Sequence, residues 1–415
     1  MASKRFLSAR EAAAELEVSA ATLYSYVSRG LIRSESGPET GDRKKRYHRE
    51  DIERLKRKKE LRREPGKVTE RALHWGTPLL ESSITLIADN ALYYRGENVL
   101  ELAGTTPFEE VARLIWGSAL PVEKLFPSPP AQLPQSWHAV APALQELNSI
   151  RQFSVLLQLA EEDDIASYDT SPERVALTGG RILQMMVSTL IGQDTTQDSI
   201  ADILTQWVGS RKKGIRKLLN AALVLCADHE LNVSSFTARC VASAGSTPYS
   251  GITAGLGALQ GTKHGGHTGK VDSLLREIGR PSETERVIHD RLRRGEGIAG
   301  FGHTLYPEGD PRGRLLLDMV YTAFPRTSAT ALLQSLEHYV RNTLDREPTI
   351  DFALIALVRN LKLRPDAAVT FFALGRTAGW IGHAIEQYHA DRIIRPRARY
   401  TGRIPGESQR TGKPE

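Results

Sequence analysis

Apolar residues recur at helical spacing through most of this chain from about residue 108 onward. Val111, Leu114 and Ile115 are one example, since positions three and four residues apart share one face of a helix. Alternating apolar and polar positions, which indicate strands, are almost absent outside a hairpin-like stretch between Glu81 and Gly104. A proline-rich stretch from Pro121 to Pro134 predicts a long loop or an extended connector. The sequence therefore predicts a mainly α, multi-helical body.

Length and composition limit the class of protein. The chain has 415 residues, of which 40% are hydrophobic, and this predicts a globular protein of two or three domains. No apolar run approaches the roughly 18 residues of a membrane span, and Met1–Arg10 lacks the hydrophobic region of a signal peptide. The two cysteines, Cys226 and Cys240, lack metal-ligand spacing. We expect a cytoplasmic protein with no membrane contact and no bound metal.

The net charge of +6 belongs to the first 65 residues. This piece holds 17 Lys and Arg against 11 Asp and Glu, whereas the remainder holds 38 of each. Ser8 with Glu11 forms the pattern of a helix capping box, and Ser19 can cap a second helix that Gly30 ends. A loop then leads to a basic run at residues 43–46, and a third helix is expected from about residue 50. The first 65 residues therefore form a separate basic module.

Two short helices, a tight turn and a basic hairpin resemble the winged helix-turn-helix of the MerR and excisionase families. The resemblance implies that Thr22 and Tyr24 on the second helix face a DNA major groove. The wing residues Arg43, Lys44, Lys45 and Arg46 would neutralise phosphates. The alternative is a small helical adaptor with a solvated basic face. The agreement of helix pattern, wing and charge favours DNA binding by residues 1–65.

Three segments in the C-terminal half each place a histidine beside glycines or polar residues, where a helical pattern breaks. They are residues 227–232 with His229 and Asn232, residues 261–266 with His264, and residues 300–303 with His303. The chain continues with Arg312, Asp351, Arg376 and Arg395. Neutral bases, one carboxylate and fixed cations suit chemistry on a small polyanion with removal of a proton next to a carbonyl group. A metal site built on the histidines is disfavoured, because no clear set of carboxylate or cysteine ligands accompanies them.

The order and spacing of these residues resemble the citrate synthase family over most of the chain after about residue 70. The resemblance implies that His264 donates a hydrogen bond to the thioester oxygen of acetyl-CoA while Asp351 removes a methyl proton. His303 would polarise the ketone of oxaloacetate. The residues implied to bind oxaloacetate are His229, Asn232, Arg312, Arg376 and Arg395, and in relatives the arginine that matches Arg395 comes from the partner subunit. The resemblance thus implies a homodimer that uses acetyl-CoA as co-substrate and needs no further cofactor.

The same resemblance divides the chain into regions. Residues 1–65 are the expected helix-turn-helix module, residues 66–80 a linker, and residues 81–415 a citrate-synthase-like body. Within the body we expect a large helical domain at about 81–262 and 356–415, and a small helical domain at about 263–355. Closure of the small domain over the large one would exclude water from the reaction.

The loop after His264 departs from the family pattern. The family usually continues His-Gly-Gly-Ala-Asn-Glu, whereas this chain has His267-Thr268-Gly269 after the two glycines. Cys226 stands where many relatives have a histidine, and Pro307 stands where a basic residue often contacts the CoA phosphates. These changes leave the acid–base and dicarboxylate-binding residues in place, and they bear on the affinity for CoA, the choice of acyl group and the turnover.

Three functions stay open at this point. The first is citrate synthase of the tricarboxylic acid cycle, which condenses acetyl-CoA with oxaloacetate and hydrolyses citryl-CoA. The second is 2-methylcitrate synthase with propionyl-CoA, since discrimination of one methylene is worth only about 1–3 kcal/mol. The third is a DNA-binding regulator whose synthase-like body senses a metabolite without turnover. The retained His264, His303 and Asp351 favour an enzyme.

Overall fold

The computed structural model describes residues 6–16, 18–36, 45–49, 51–52, 55, 80–192, 199–398 and 400–402. The chain folds into two compact units, Met1–Glu81 and Ser82–Glu415. Each unit has its own cluster of buried apolar side chains. Of the expected linker at 66–80, only Leu80 lies within the described residues. The division of the body into a large and a small domain stays a prediction.

The N-terminal unit combines two helices with a three-stranded antiparallel sheet. The helices are α1 (Ala9–Glu15) and α2 (Ala20–Ser28), and residues 49, 51, 52 and 55 are also helical. The strands are β1 (Phe6–Ser8), β2 (Ser34–Ser36) and β3 (Lys45–His48), in the order β1-β3-β2. The described part of this unit is a helix-turn-helix with a β-sheet wing.

The predicted caps form at the start of both helices. The Ser8 hydroxyl accepts the Glu11 N–H at 3.3 Å, and the Glu11 carboxylate accepts the Ser8 N–H at 2.8 Å. The Ser19 hydroxyl accepts the Thr22 N–H at 3.2 Å. These caps satisfy N–H groups that have no partner within the first turn of a helix. The apolar faces then meet in a small core of Leu7, Ala12, Leu16, Leu23, Ile32, Tyr47 and Ile52.

The body begins with a β-hairpin, as the sequence pattern predicts. Strands β4 (Thr85–Ala88) and β5 (Ala91–Tyr94) pair antiparallel, and β6 (Glu97–Asn98) pairs with β5. The two turn residues, Asp89 and Asn90, have φ values of 51° and 56°. Two residues with positive φ give the turn whose twist matches that of the flanking strands.

Helices form most of the remaining body, which confirms the prediction of a mainly α architecture. They are α3 (Val99–Thr105), α4 (Phe108–Trp116), α5 (Val122–Leu125), α6 (Gln135–Leu144), α7 (Ser149–Glu162), α8 (Pro172–Ile191), α9 (Ile200–Val208), α10 (Ile215–Cys226), α11 (Val233–Ser243), α12 (Pro248–Leu259), α13 (His267–Ile278), α14 (Thr284–Arg293), α15 (Pro311–Ala323), α16 (Ser328–Leu344), α17 (Ile350–Asn360) and α18 (Ala367–Ala390). The prediction of a loop over all of Pro121–Pro134 is wrong at its start, because α5 forms there and buries Leu125 in the core. No helix in the described part of the chain is long and apolar enough to cross a membrane.

Helix α18 lies at the centre of the body and places one side of the candidate site. It packs against α8, α10, α11 and α12, and most of its residues are buried. Gly379 permits the close approach to the end of α10, since a Cβ at this position would lie 2.4 Å from the Ala227 carbonyl oxygen. The Gly379 N–H donates to that oxygen at 3.0 Å. This contact sets Arg376, one turn earlier, beside Cys226.

Candidate active site

The turn from α10 to α11 carries two of the predicted residues, His229 and Asn232. The side-chain oxygen of Asn232 accepts the N–H groups of Ser234 and Ser235 at 3.2 Å each and so caps α11. The side-chain nitrogen of Asn232 lies 3.1 Å from the Ser235 hydroxyl. The structure therefore gives Asn232 a part in shaping this turn, and direct binding of a substrate by its amide stays a prediction.

His229 is buried, with 8% of its surface exposed. Its Nε2 lies 2.9 Å from the Tyr306 hydroxyl, and its ring meets the ring of His303 edge-on at 5.3 Å between centroids. Burial lowers the pKa of His229 well below its ordinary value, and the charges of Arg312 and Arg376 act in the same direction. His229 is therefore a neutral imidazole at physiological pH.

His303 presents a fixed N–H donor. Its Nδ1 accepts the backbone N–H of Leu305 at 3.2 Å, so in the neutral ring the proton must sit on Nε2. Burial lowers the pKa of His303, and the charge of Arg312 lowers it further. The ring thus offers Nε2–H, which is the group needed to polarise a carbonyl oxygen.

Arg312 is held by Asp310, which the sequence did not single out as a site residue. Two guanidinium nitrogens of Arg312, Nε and Nη2, donate to the two carboxylate oxygens of Asp310, each at 2.9 Å. Asp310 also caps α15 and accepts the Ile350 N–H at 3.0 Å, and so it ties Arg312 to the start of α17. The sequence signal for Asp310 is its place before Pro311, the pattern of an N-cap followed by proline at the first helical position.

Arg376 has 1% of its surface exposed. Its Nε donates to the Cys226 carbonyl oxygen at 2.9 Å, and its guanidinium lies 4.9 Å above the centre of the Phe372 ring. Within the described part of the chain, no carboxylate lies within the 4.0 Å of an ion pair with this guanidinium. A guanidinium keeps its charge even when buried, so Arg376 is suited to receive an anion.

Asp351 lies in the first turn of α17. Burial raises the pKa of this carboxyl to about 7, although the charges of Arg312 and Arg376 act to lower it. At neutral pH the side chain therefore exchanges its proton readily. A carboxylate with such a pKa is a better general base than one with an ordinary pKa.

His264 lies in the turn between α12 and α13. Its Nε2 is 2.8 Å from the Ser234 hydroxyl, and the indole N–H of Trp380 donates to the same hydroxyl at 3.1 Å. Burial lowers the pKa of His264 to about 4, with a further contribution from the charge of Arg376. Ser234 and Trp380 were not predicted, since they come from other helices and nothing in their local sequence indicates this contact.

Arg395 is exposed, and it lies in the segment 392–398 after α18, which has no regular secondary structure. Among the described residues, no hydrogen bond or ion pair joins its side chain to this cluster. The segment is held by hydrogen bonds from Gln387 to the Arg392 carbonyl at 2.7 Å and from the Ile394 N–H to Ser243 at 3.0 Å. A role for Arg395 in the site of a second subunit stays a prediction.

A buried polar pair supports the turn beneath His229. Asp228 and His383 are both fully buried, with 3.2 Å between Asp228 Oδ1 and His383 Nε2. The Thr85 hydroxyl donates to Asp228 Oδ2 at 2.6 Å. The Thr85 hydrogen bond ties the turn that carries His229 to the hairpin, and the Gly379 N–H ties it to α18 through the Ala227 carbonyl oxygen. Among the described residues, no group of three His, Cys, Asp or Glu side chains is arranged to hold a metal ion.

Two family models match this chain. Residues 72–397 match the model of the citrate synthase C-terminal domain. The chain belongs to the citrate synthase family. Residues 7–67 match the model of the MerR HTH family regulatory protein. Both resemblances inferred from the sequence are thus confirmed, and the citrate synthase family is one of acyltransferases.

Individual relatives cover most of the chain. Citrate synthase 2 of Bacillus subtilis is 32% identical over 352 residues, which are 79% of this chain and 94% of that protein. A 2-methylcitrate synthase 2 of Corynebacterium glutamicum is 26% identical over 346 residues, 75% of this chain and 89% of that protein. The two relatives are named for different products, and their names alone leave the acyl group of this chain open.

Solved structures confirm the fold of the body. Citrate synthase from Thermotoga maritima superposes with a TM-score of 0.68 at 28% identity, covering 80% of this chain and 96% of that one. Citrate synthase from Thermoplasma acidophilum, solved as a ternary complex with carboxymethyl coenzyme A and oxaloacetate, has a TM-score of 0.71 at 24% identity, covering 82% of this chain and 98% of that one. The second likeness supports the multi-helical citrate synthase fold alone.

Proposed function

We propose that the body condenses acetyl-CoA with oxaloacetate and hydrolyses the resulting citryl-CoA to citrate and CoA. The observation that carries the proposal is one cluster with a carboxyl of pKa about 7, three neutral imidazoles and two buried guanidiniums. Each of these groups has the protonation state that its step requires. The two free cysteines fit the cytoplasm as the compartment.

The first step forms the nucleophile. The Asp351 carboxylate takes a methyl proton of acetyl-CoA, and the electron pair of the broken C–H bond moves to the thioester oxygen. His264 stabilises that oxygen by donating a hydrogen bond from a ring N–H. The contact of its Nε2 with the Ser234 hydroxyl at 2.8 Å holds the ring in place, and the same hydroxyl accepts the indole N–H of Trp380 at 3.1 Å.

The second step joins the two substrates. The enol carbon attacks the ketone carbon of oxaloacetate, and the ketone oxygen gains negative charge as the new C–C bond forms. His303 donates Nε2–H to that oxygen. Arg312 and Arg376 hold the carboxylates of oxaloacetate through charge-assisted hydrogen bonds, and neutral His229 adds a further contact. Water then cleaves the thioester of citryl-CoA and releases the free thiol of CoA.

A homodimer completes this proposal. Arg395 is exposed, and the hydrogen bond of its neighbour Ile394 to Ser243 lies at the opposite end of α11 from the turn that carries His229, so a second copy of the chain would supply the third arginine. The N-terminal unit would then be present twice, with Thr22, Tyr24, Lys45 and Arg46 available to DNA. Arg43 and Lys44, the other two predicted wing residues, lie outside the described residues.

Two other functions are tested together with the main one. Propionyl-CoA in place of acetyl-CoA would make the body a 2-methylcitrate synthase, and the C. glutamicum relative supports testing it. The match of residues 7–67 to MerR regulators supports a DNA-binding regulator whose body senses a metabolite. Both would use the same dicarboxylate-binding arginines.

The deciding experiment measures release of free CoA thiol with oxaloacetate and either acetyl-CoA or propionyl-CoA. We expect turnover with acetyl-CoA that Asp351→Asn nearly abolishes, because the amide keeps the shape of the side chain but cannot take a proton. Faster turnover with propionyl-CoA would assign the second function. Oxaloacetate binding without turnover of either acyl-CoA would contradict the enzymatic proposal and favour the sensor.

A further inference from the structure

His267 stands in the loop where this chain departs from the family pattern. It is the first residue of α13 and lies three residues after His264. Its backbone N–H donates to the His264 carbonyl oxygen at 2.8 Å. Its ring accepts the backbone N–H of Gly300 on Nε2 at 3.4 Å. A single residue therefore connects the backbone of His264 to the segment that leads to His303.

The Gly300 peptide lies where three catalytic segments meet. Its N–H reaches His267, and its carbonyl oxygen accepts the Thr349 N–H at 2.9 Å and the Thr349 hydroxyl at 3.3 Å. Thr349 is two residues before Asp351, and Gly300 is three residues before His303. The hydrogen bonds of this one residue therefore join the segments that carry all three proposed catalytic residues.

Gly300 has little freedom to move at this junction. Its φ is +88°, and a Cβ at this position would lie 3.0 Å from Val271 Cγ2 and 3.2 Å from Phe352 Cβ. Packing thus fixes the peptide from one side, while the ring of His267 holds its N–H. The ring can accept this hydrogen bond only when Nε2 carries no proton. Burial, together with the charge of Lys270, lowers the pKa of His267 and favours that neutral form.

We propose that His267 is a positioning residue for the condensation, one that holds His264 at a fixed distance from His303 and Asp351. The inference rests on the proposed function of the same site. Alanine, which the family usually has at this position, has no side-chain acceptor for the Gly300 N–H. The altered loop of this chain therefore supplies a link of its own between the catalytic segments.

The test compares two amides that differ in reach. In His267→Gln the side-chain oxygen can occupy the place of Nε2, whereas in His267→Asn it is one bond too short. We expect His267→Asn to lower kcat at least about tenfold, since small displacements of reacting groups are costly, and His267→Gln to stay within about threefold of the wild type. The KM for oxaloacetate should stay the same in both variants, because Arg312 and Arg376 are untouched.

Hydrogen exchange provides a measurement that does not depend on turnover. In the full-length protein, the Gly300 amide should exchange faster in His267→Asn than in the wild type, and at the wild-type rate in His267→Gln. Equal kcat values for the two variants, or equal exchange at Gly300, would overturn the proposal. A loss of thermal stability with unchanged kcat would also overturn it, since that result marks a purely structural residue. If the wild type turns over neither acyl-CoA, the proposed function fails, and the exchange comparison alone decides whether His267 holds Gly300.

Discussion

Burial sets the chemistry of the single residues in this site. The same loss of water lowers the pKa of His229, His264 and His303 and raises the pKa of Asp351, because burial disfavours the charged form of each group. The guanidinium of Arg376 keeps its charge under the same conditions. Burial therefore sets the protonation state of each group, and neutral donors, a base and fixed cations lie in one cluster.

The activity should rise with pH through the pKa of Asp351. The carboxylate is the reactive form, so kcat/KM for the acyl-CoA should fall about tenfold for each pH unit below about 7 and level off above it. The rate of CoA release across this range is the measurement. A flat profile from about pH 5.5 to about pH 8.5 would remove Asp351 from the rate-determining proton transfer.

The pH dependence of folding stability gives a second measure of the raised pKa of Asp351, with Asp351→Asn as the control. The pKa of Asp351 is raised from an ordinary 3.8 to about 7, so the folded state holds a proton that the unfolded state loses in this window. The contribution of Asp351 to folding therefore falls as pH rises from about 4 to about 7. Asparagine does not titrate. The Tm of Asp351→Asn relative to that of the wild type should therefore rise as the pH increases over that range.

Substitution by alanine should have different effects at Arg312 and at Arg376. Arg312→Ala leaves the buried Asp310 carboxylate without its partner, which should lower the free energy of unfolding by about 3–5 kcal/mol. Arg376→Ala breaks no comparable pair in the described part of the chain, so its main effect should be on oxaloacetate, with Kd raised at least about tenfold. Denaturant unfolding and calorimetric titration measure the two effects. Equal destabilisation by both substitutions would contradict this assignment.

Local signals in the sequence predicted the ends of elements better than the contacts between them. The capping box of Ser8 and Glu11 and the hairpin after Glu81 depend on neighbouring residues, and both form as expected. The contact of Ser234 with His264 spans 30 residues, and that of Asp310 with Ile350 spans 40. Such contacts exist only after helices pack, so no local pattern reports them.

The close packing of α18 against α10 requires a residue without a side chain at position 379, and substitution tests this requirement. Gly379→Ala places a Cβ 2.4 Å from the Ala227 carbonyl oxygen, and overpacking of this kind should cost about 1–3 kcal/mol of stability. The control is Gly104→Ala in α3, where a Cβ meets nothing within 4 Å and alanine should add up to about 1 kcal/mol. Thermal unfolding compares them. A Gly379→Ala protein as stable as the wild type would show that α18 can shift away from α10.

At the scale of the whole molecule, the proposed dimer predicts complementation between inactive variants. If Arg395 serves the site of the partner subunit, Arg395→Ala and Asp351→Asn are each inactive as homodimers. A mixed dimer, however, contains one site with an intact Asp351 and an intact Arg395. Co-expression of the two variants should therefore restore CoA release. Absence of any restored activity in purified mixed dimers would place Arg395 outside the partner's site.

The N-terminal unit is expected to bind duplex DNA. Tyr24 is 54% exposed on α2, and Lys45 and Arg46 are exposed on β3, so these side chains are free to meet a duplex. Each phosphate contact contributes a slope of about −0.9 in log K against log salt concentration. Alanine at all four positions of 43–46 should weaken binding to every sequence and flatten this slope. Thr22→Ala or Tyr24→Ala should instead reduce the preference among sequences, because contacts to base edges carry that preference.

A dimeric body would present two such units, so a preferred site should be roughly palindromic, with a spacing between half-sites that the dimer sets. Binding assays with random and selected duplexes at several salt concentrations test both parts of this prediction. The matched control is the Asp351→Asn protein, which removes the catalytic base and leaves residues 1–65 unchanged, so its DNA affinity should equal that of the wild type. No binding at low salt, where the phosphate contribution is strongest, would contradict DNA recognition and leave the unit as an adaptor for another protein.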